Sequence, residues 1–423
     1  MHISTLPPAD PNTQSLLKHA DRCVMCGLCS THCPTYRVAA DENESPRGRV
    51  SLIQAYARGQ LPASPKMLEH LDNCLGCRSC ESVCPSGVKF GTLMDLARTE
   101  LAPQHAPLPR WLEWLYKSRS KGDKARRIFH FYQRSGLQGF VRKSGVLRSL
   151  NLQRLDALLS NAISNAAIKE FYPAHGTTKG TVSLFTGCAG NVLDRTTIIA
   201  ACELLAAAGY AVRVPPQQVC CGALPMHSGQ SETATQLARE NAAAFAGNDA
   251  VLYVATGCGA SLSEYGKTET LPRDDPGIAS LGQRAQEICS FLVQSGALTT
   301  DLFAPLVARA ALHTPCTMRN VVKQGERVAQ LLALLPGLQL TKLGTAPGCC
   351  GAGGVHLAQD SPTNRALRQE TIEAVTRSAP AILLTTNLGC ALNLRAELAM
   401  QGLAIGVMHP IVLLRQQLRV TPP

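Results

Sequence analysis

Beyond residue 180 the chain alternates short apolar runs with stretches of helical periodicity, and it does so twice. The run from Thr181 to Cys188 aligns with the one ending at Cys316, Val219-Cys220-Cys221-Gly222-Ala223 with Gly348-Cys349-Cys350-Gly351-Ala352, and the run ending at Cys258 with the one ending at Cys390. The offsets of 128, 129 and 132 residues make the two stretches close copies. Each copy reads as apolar strand, helix, Cys-Cys-Gly turn, helix, apolar strand, and this alternation predicts parallel βαβ units. The first 100 residues carry only helical patterns. Ser45-Pro46-Arg47-Gly48-Arg49 reads as a helix entry, with Val50 to Arg58 following and Gly59 as a stop. Leu68 to Leu71 and Leu93 to Ala97 also have helical spacing. The pattern predicts an α+β multidomain protein: an N-terminal α-helical domain (residues 1–102), a helical connector (103–178), and two repeated α/β domains (179–304 and 305–423), with Gly176 to Gly180 as a flexible joint. No apolar run approaches the 18 residues of a membrane span; the longest, Leu403 to Leu414, is broken by His409-Pro410.

The helical domain contains Cys23-x2-Cys26-x2-Cys29-x3-Cys33-Pro34 and Cys74-x2-Cys77-x2-Cys80-x3-Cys84-Pro85. This is the spacing of a bacterial two-cluster ferredoxin, in which three closely spaced thiolates bind one [4Fe–4S] cluster and the delayed fourth reaches the other. The proline then ends the loop, having no N–H to donate. The expected ligation is therefore crossed: Cys23, Cys26, Cys29 and Cys84 at one cluster, Cys74, Cys77, Cys80 and Cys33 at the other. Structural zinc uses CxxC pairs with longer gaps and no trailing Cys-Pro. The 18 cysteines are too sparse for a disulfide scaffold. The start, Met1 to Pro8, has neither a basic nor an apolar stretch, so no signal peptide is expected, and thiols in a reducing compartment read as metal ligands.

In the repeats, Cys188, Cys220, Cys221 and Cys258 are expected to meet at one sheet edge, and Cys316, Cys349, Cys350 and Cys390 at the other, because ligands of open α/β sheets gather at the carboxyl ends of strands. Gly222 and Gly351 supply the sharp turn that lets adjacent cysteines face one centre. Cys202 and Cys289 have no counterparts and read as buried apolar residues. His313 and His356 lie near Cys316 and Cys350, where hydrogen bonding to a centre and plain packing both remain open. No Gly-x-Gly-x-x-Gly follows a strand, so no dinucleotide site is expected.

The net charge of +11 is concentrated. Between Arg110 and Arg154 there are 12 Lys/Arg against Glu113 and Asp123, and both tryptophans, Trp111 and Trp114, stand at the start of this segment. Such a stretch suits a helical linker with a solvated face, an acidic partner or an anionic leaflet. Nucleic acid is disfavoured, since no recognition motif accompanies the charge. Arg47 and Arg49 read as surface charge, with a place beside an anionic cluster as the alternative.

Paired ferredoxin motifs followed by two Cys-Cys-Gly domains resemble the family that includes the glycolate oxidase iron–sulfur subunit, over essentially the whole chain. The likeness is carried by Cys33-Pro34-Thr35-Tyr36, Ser45-Pro46-Arg47-Gly48-Arg49, His70-Leu71-Asp72-x-Cys74-Leu75-x-Cys77-Arg78, Cys84-Pro85-Ser86-Gly87-Val88 and Gly257-Cys258-Gly259-Ala260. Lactate-utilisation, glycerol-3-phosphate dehydrogenase and heterodisulfide reductase subunits are related. The resemblance implies an electron-transfer subunit of a glycolate oxidase complex, with FAD on partner flavoprotein subunits, a membrane quinone as acceptor, and a peripheral position on the cytoplasmic face of the inner membrane. The alternatives are the equivalent lactate or glycerol-3-phosphate subunit, or a cluster-bearing thiol–disulfide protein. The heterodisulfide relatives end each repeat in Cys-x2-Cys, whereas here Ser261 and Asn393 take the last position. Four thiolates per repeat suit an ordinary [4Fe–4S] cluster or a labile, incomplete one in each Cys-Cys-Gly domain, with lost sites or redox thiols as the alternatives, and a noncubane centre is not expected.

Overall fold

A computed structural model describes residues 11–104, 119–150, 152–159, 163–344 and 349–419. Trp111 and Trp114 lie outside them.

The N-terminal helices Pro11–Ala20, Pro46–Ala57, Pro65–Asp72 and Phe90–Glu100 close around Leu16, Ile53, Leu71 and Leu93, all fully buried. The entry at Ser45 forms as its sequence predicts. The Ser45 hydroxyl accepts the N–H of Gly48 at 2.9 Å, and Pro46 occupies a first-turn position whose missing N–H costs nothing. The helix thus begins at Pro46, and Gly59, with φ 69°, follows its end.

Four further helices, Arg119–Arg134, Leu137–Lys143, Val146–Ser149 and Gln153–Leu158, form the connector. It is tied to both repeats. Asp123 accepts from Arg195 of the first, and Arg154 donates to the Asn393 side chain of the second. Its last residues are not all linker: Phe171–Tyr172 (β1) pairs antiparallel with Tyr210–Arg213 (β3) and joins the first sheet.

The first repeat adds Gly180–Phe185 (β2), Ala250–Tyr253 (β4) and Ala285–Glu287 (β5), in the order β1-β3-β2-β4-β5. The second contains Ala308–His313 (β6), Leu338–Lys342 (β7), Ile382–Thr385 (β8) and Gly406–Met408 (β9), in the order β7-β6-β8-β9. Apart from β1 all pairings are parallel. The repeat therefore has four strands rather than the two its apolar runs announce. The two halves share one core, in which Leu184 and Leu252 of the first meet Leu312 and Leu384 of the second. Backbone contacts also cross the boundary: Thr256 N–H donates to Thr386 C=O at 3.0 Å. In each sheet the strand order reverses between β2 and β4, or β6 and β8, and the carboxyl ends of these strands flank that reversal. Among the described residues no helix is long and apolar enough to cross a membrane.

Candidate functional site

The two ferredoxin-type loops share one backbone device. The second residue after the first cysteine and the one after the second cysteine take left-handed φ in both: Met25 and Gly27, then Gly76 and Arg78. Met25 and Arg78 bear the steric cost that a Cβ meets there. The resulting curl brings each set of three sulfurs together.

Cys33, from the first motif, lines a cavity of about 100 Å3 together with Cys74, Cys77 and Cys80 of the second. Burial pushes the Cys77 thiol well up, with Cys316, Cys33 and Cys74 adding to it, and burial likewise raises Cys80, to which Cys77, Cys74 and Cys33 contribute. Cys29 is raised by burial, with Cys23 and Cys26 as its cysteine neighbours. Cys84 packs against the helical core that Cys23, Cys29, Cys74 and Cys80 also touch. Cys33 is held by Thr35, 3.2 Å from its sulfur.

Arg49 is not a surface charge. It is 1% exposed and donates to Glu44 Oε2 and Glu44 C=O, both at 2.5 Å, to His70 C=O at 2.7 Å and to Thr35 Oγ1 at 3.1 Å. Glu44 in turn meets His70 Nδ1 at 2.7 Å and Asn73 Nδ2 at 2.8 Å. This network joins the turn after Cys33 to the helix that delivers Cys74. Arg47 is half-exposed and engages Glu42 at 2.5 Å.

In the first repeat the four sequence-aligned cysteines come together. Cys220 hydrogen-bonds Cys188 and Cys221, and Cys221 also bonds Cys258. The bond to Cys188 pushes Cys220 up, while donation from Cys220 holds Cys221 well below the usual thiol range. In the second repeat Cys349 bonds Cys316 and Cys350, and the sulfurs of Cys350 and Cys390 are 2.8 Å apart. Gly222 and Gly351 carry φ of 79° and 78°, the turn each pair requires. Cys188, Cys258 and Cys390 do not end strands; they stand in the first turns of the helices that follow. Cys202 and Cys289 are fully buried in the apolar core shared by the halves.

Ser261 and Asn393 have matching tasks. Ser261 Oγ donates to Cys221 C=O at 3.0 Å, and Asn393 Nδ2 donates to Cys350 C=O at 2.6 Å. Tyr265 OH and Asn241 Nδ2 hold the carbonyls of Cys221 and Cys220 at 2.9 and 2.8 Å. The polar residues that replace a fifth cysteine thus fix the backbone of the Cys-Cys pair.

A feature the sequence reading passed over is a matched histidine, Cys-Cys-Gly-Ala-x3-His, at His227 and His356. Its signal was the repeat itself. Both face the ferredoxin domain: His227 Nδ1 meets Asp95 Oδ1 at 2.8 Å, and His356 bonds the backbone of Asp72 and Cys74. Around them, Asn320 donates to Cys77 C=O at 2.7 Å, and Arg78 pairs with Glu264. Gly353 lies so close to Leu75 that a Cβ would come within 2.4 Å of its carbonyl oxygen. The second ferredoxin loop is therefore clasped by both repeats, with Cys77, Cys316 and Cys349 near one another.

The donor chemistry fits iron–sulfur centres. Four contacting cysteines cannot all be thiolates without a cation between them, and soft sulfur sets of this kind suit iron–sulfur clusters. In the full chain, Cys221→Ser and Cys350→Ser are each expected to lower iron and acid-labile sulfide per chain, and Cys202→Ser to leave both unchanged, as colorimetric iron and sulfide assays would register.

Comparison with known proteins agrees with this geometry. Residues 19–88 match a 4Fe-4S dicluster domain, and residues 182–263 and 310–395 match a cysteine-rich domain. Residues 110–159 match the linker region of the glycolate oxidase iron–sulfur subunit. The probable glycolate oxidase iron–sulfur subunit of Bacillus subtilis (strain 168) is 34% identical over 90% of both chains. This chain belongs to the glycolate oxidase iron–sulfur subunit family. The glycolate oxidase iron–sulfur subunit of Escherichia coli (strain K12) is 31% identical over 88% of this chain and 89% of its own. Lactate utilization protein A of Geobacillus thermodenitrificans (strain NG80-2) is 31% identical over 54% of this chain and 95% of its own. Membership makes the chain an electron-transfer subunit of an oxidoreductase complex. The dicluster match implies two [4Fe–4S] clusters, and the cysteine-rich matches point to further iron–sulfur centres.

Proposed function

We propose that this chain takes electrons from a flavin-bearing partner subunit that oxidises glycolate, and delivers them to a membrane quinone. The reading is carried by the match of residues 110–159 to the glycolate oxidase subunit's linker region; the lactate-utilisation relative, by contrast, covers about half of the chain. Iron–sulfur clusters supply one-electron transfer when bound. The chain's own residues would hold them in a connected series: the first loop with Cys84, the second loop with Cys33, then the two Cys-Cys-Gly sets against which the second loop is clasped. The purified chain is expected to show no glycolate-dependent dye reduction until the partner flavoprotein is added. Turnover by this polypeptide alone would contradict the reading.

We place the attachment to the cytoplasmic membrane face on the connector. Among the described residues of its helices the exposed charges are all cationic, including Arg127, Arg134, Lys143 and Arg148, and they stand among exposed Ile128, Phe131, Phe140 and Leu150. Asp123 and Asp156 are taken up by Arg195 and Arg142. Arg126 is buried and Arg142 is paired at 2.5 Å, so neither belongs in a test of surface charge. Reversing Arg127, Arg134, Lys143 and Arg148 together is expected to weaken binding to anionic vesicles by roughly a hundredfold or more, at about 1 kcal/mol per cation near such a surface. Iron content should be unchanged. Sedimentation with vesicles at low and high salt reads the effect, and unchanged binding would remove the connector from the attachment.

A further inference from the structure

The two repeats are close copies, yet their sheets differ at one cross-strand position beside the cysteines. In the first, Phe185 on β2 is the register partner of Tyr253 on β4; in the second, His313 on β6 is the register partner of Thr385 on β8. Both members of the pair have changed from aromatic to polar, and both polar residues are buried, Thr385 to 1% exposure. A buried imidazole and hydroxyl need partners. One partner is internal: His313 Nδ1 lies 3.0 Å from Thr385 Oγ1. The ring also lies beside sulfur. A ring nitrogen of His313 and the sulfurs of Cys350 and Cys390 all lie within 4.8 Å of one another.

We propose that His313 is an imidazole ligand of the centre in the second repeat, so that the two repeats carry chemically unlike centres: cysteine-only in the first, mixed histidine and cysteine in the second. The proposal rests on the reading that the Cys-Cys-Gly sets hold iron–sulfur clusters. Thr385 has the place that an orienting group takes behind a metal-bound histidine. When its hydroxyl accepts the Nδ1 proton, the tautomer is fixed and the Nε2 lone pair is left for the metal. Phe185 and Tyr253 give the first repeat no such donor. Cys350 and Cys390 are the sulfurs beside His313, while Cys316 and Cys349 lie toward Cys77 of the second ferredoxin loop. The mixed ligation therefore sits on the far side of the centre from the ferredoxin domain. His313 ligates in place of one of the four thiolates, and imidazole is neutral where thiolate is anionic, so this centre accepts an electron more readily than its all-thiolate neighbour.

The test uses the anaerobically purified full chain, reconstituted with iron and sulfide, reduced, and examined by pulsed electron paramagnetic resonance for nitrogen hyperfine coupling. A coupling typical of metal-bound imidazole is expected. It should vanish in His313→Phe and in His313→Gln, survive in His356→Gln, and be replaced in His313→Cys by a cluster of lower reduction potential. A second-repeat cluster, recognised by its loss in Cys350→Ser, that shows no such coupling would overturn the proposal while leaving the cluster reading intact. So would a coupling that persists in both His313→Phe and His313→Gln, or zinc in place of iron at this repeat. Iron content and spectra untouched by Cys350→Ser would instead overturn the cluster reading, and this proposal with it.

Discussion

Cys33→Ser is expected to remove or convert the cluster of the second loop, although Cys33 belongs to the first motif. Cys33 shares a cavity with Cys74, Cys77 and Cys80 and contributes to raising the pKa of the last two, whereas Cys23, Cys26 and Cys29 gather separately. The reciprocal variant, Cys84→Ser, should act on the first-loop cluster. Each substitution should cost up to one of the two clusters of the dicluster domain, which iron and sulfide analysis with low-temperature paramagnetic resonance would register. Cys33 has the wider consequence, because the second loop is the one clasped by both repeats, through Asn320, Glu264 and His356. If Cys33→Ser abolishes only the signal that Cys26→Ser also abolishes, ligation is uncrossed.

Arg49→Met should be the most destabilising single change in the helical domain. The side chain is buried and donates to a carboxylate, two backbone carbonyls and a hydroxyl. Removing it leaves Glu44 buried beside His70 with its main charge partner gone, and breaking a buried ion pair typically costs about 3–5 kcal/mol. Because Thr35 and Glu44 also fix the turn around Cys33, the same variant should lose second-loop iron before it unfolds. Arg47→Met, on the half-exposed neighbour, serves as the control and should be close to neutral. Chemical denaturation of the iron-free and loaded chain measures both effects; equal stability of the two variants would contradict the role given to the Arg49 network.

The repeat was legible because it is written in apolar strands and in cysteines, and both survive as spacing. β2, β4, β6 and β8 are short apolar runs that end just before a cysteine. β5, with Ala285-Gln286-Glu287, and the mostly unburied β7, with Leu338 to Lys342, carry no such pattern, because edge strands are half-solvated and need little apolar content. The ferredoxin motifs predicted which three cysteines gather in each loop, since the spacing within a loop is a local property. Arg49 was misread for the opposite reason. Burial of an arginine depends on Glu44, His70 and Thr35 converging from separate segments, and no single stretch of sequence shows that convergence. His227 was missed although its repeat partner His356 was noticed; the pair becomes visible only when both Cys-Cys-Gly turns are aligned through their histidines.

The most direct test mixes the anaerobic, oxidised chain with its glycolate-oxidising flavoprotein partner and follows the clusters by paramagnetic resonance after glycolate is added. Reduced [4Fe–4S] signals are expected to appear only when glycolate, flavoprotein and this chain are all present, and to fail in Cys33→Ser for the second-loop cluster. Clusters that stay oxidised while the flavin is reduced, or that are reduced by glycolate without the flavoprotein, would contradict the assignment of this chain as the electron-transfer subunit.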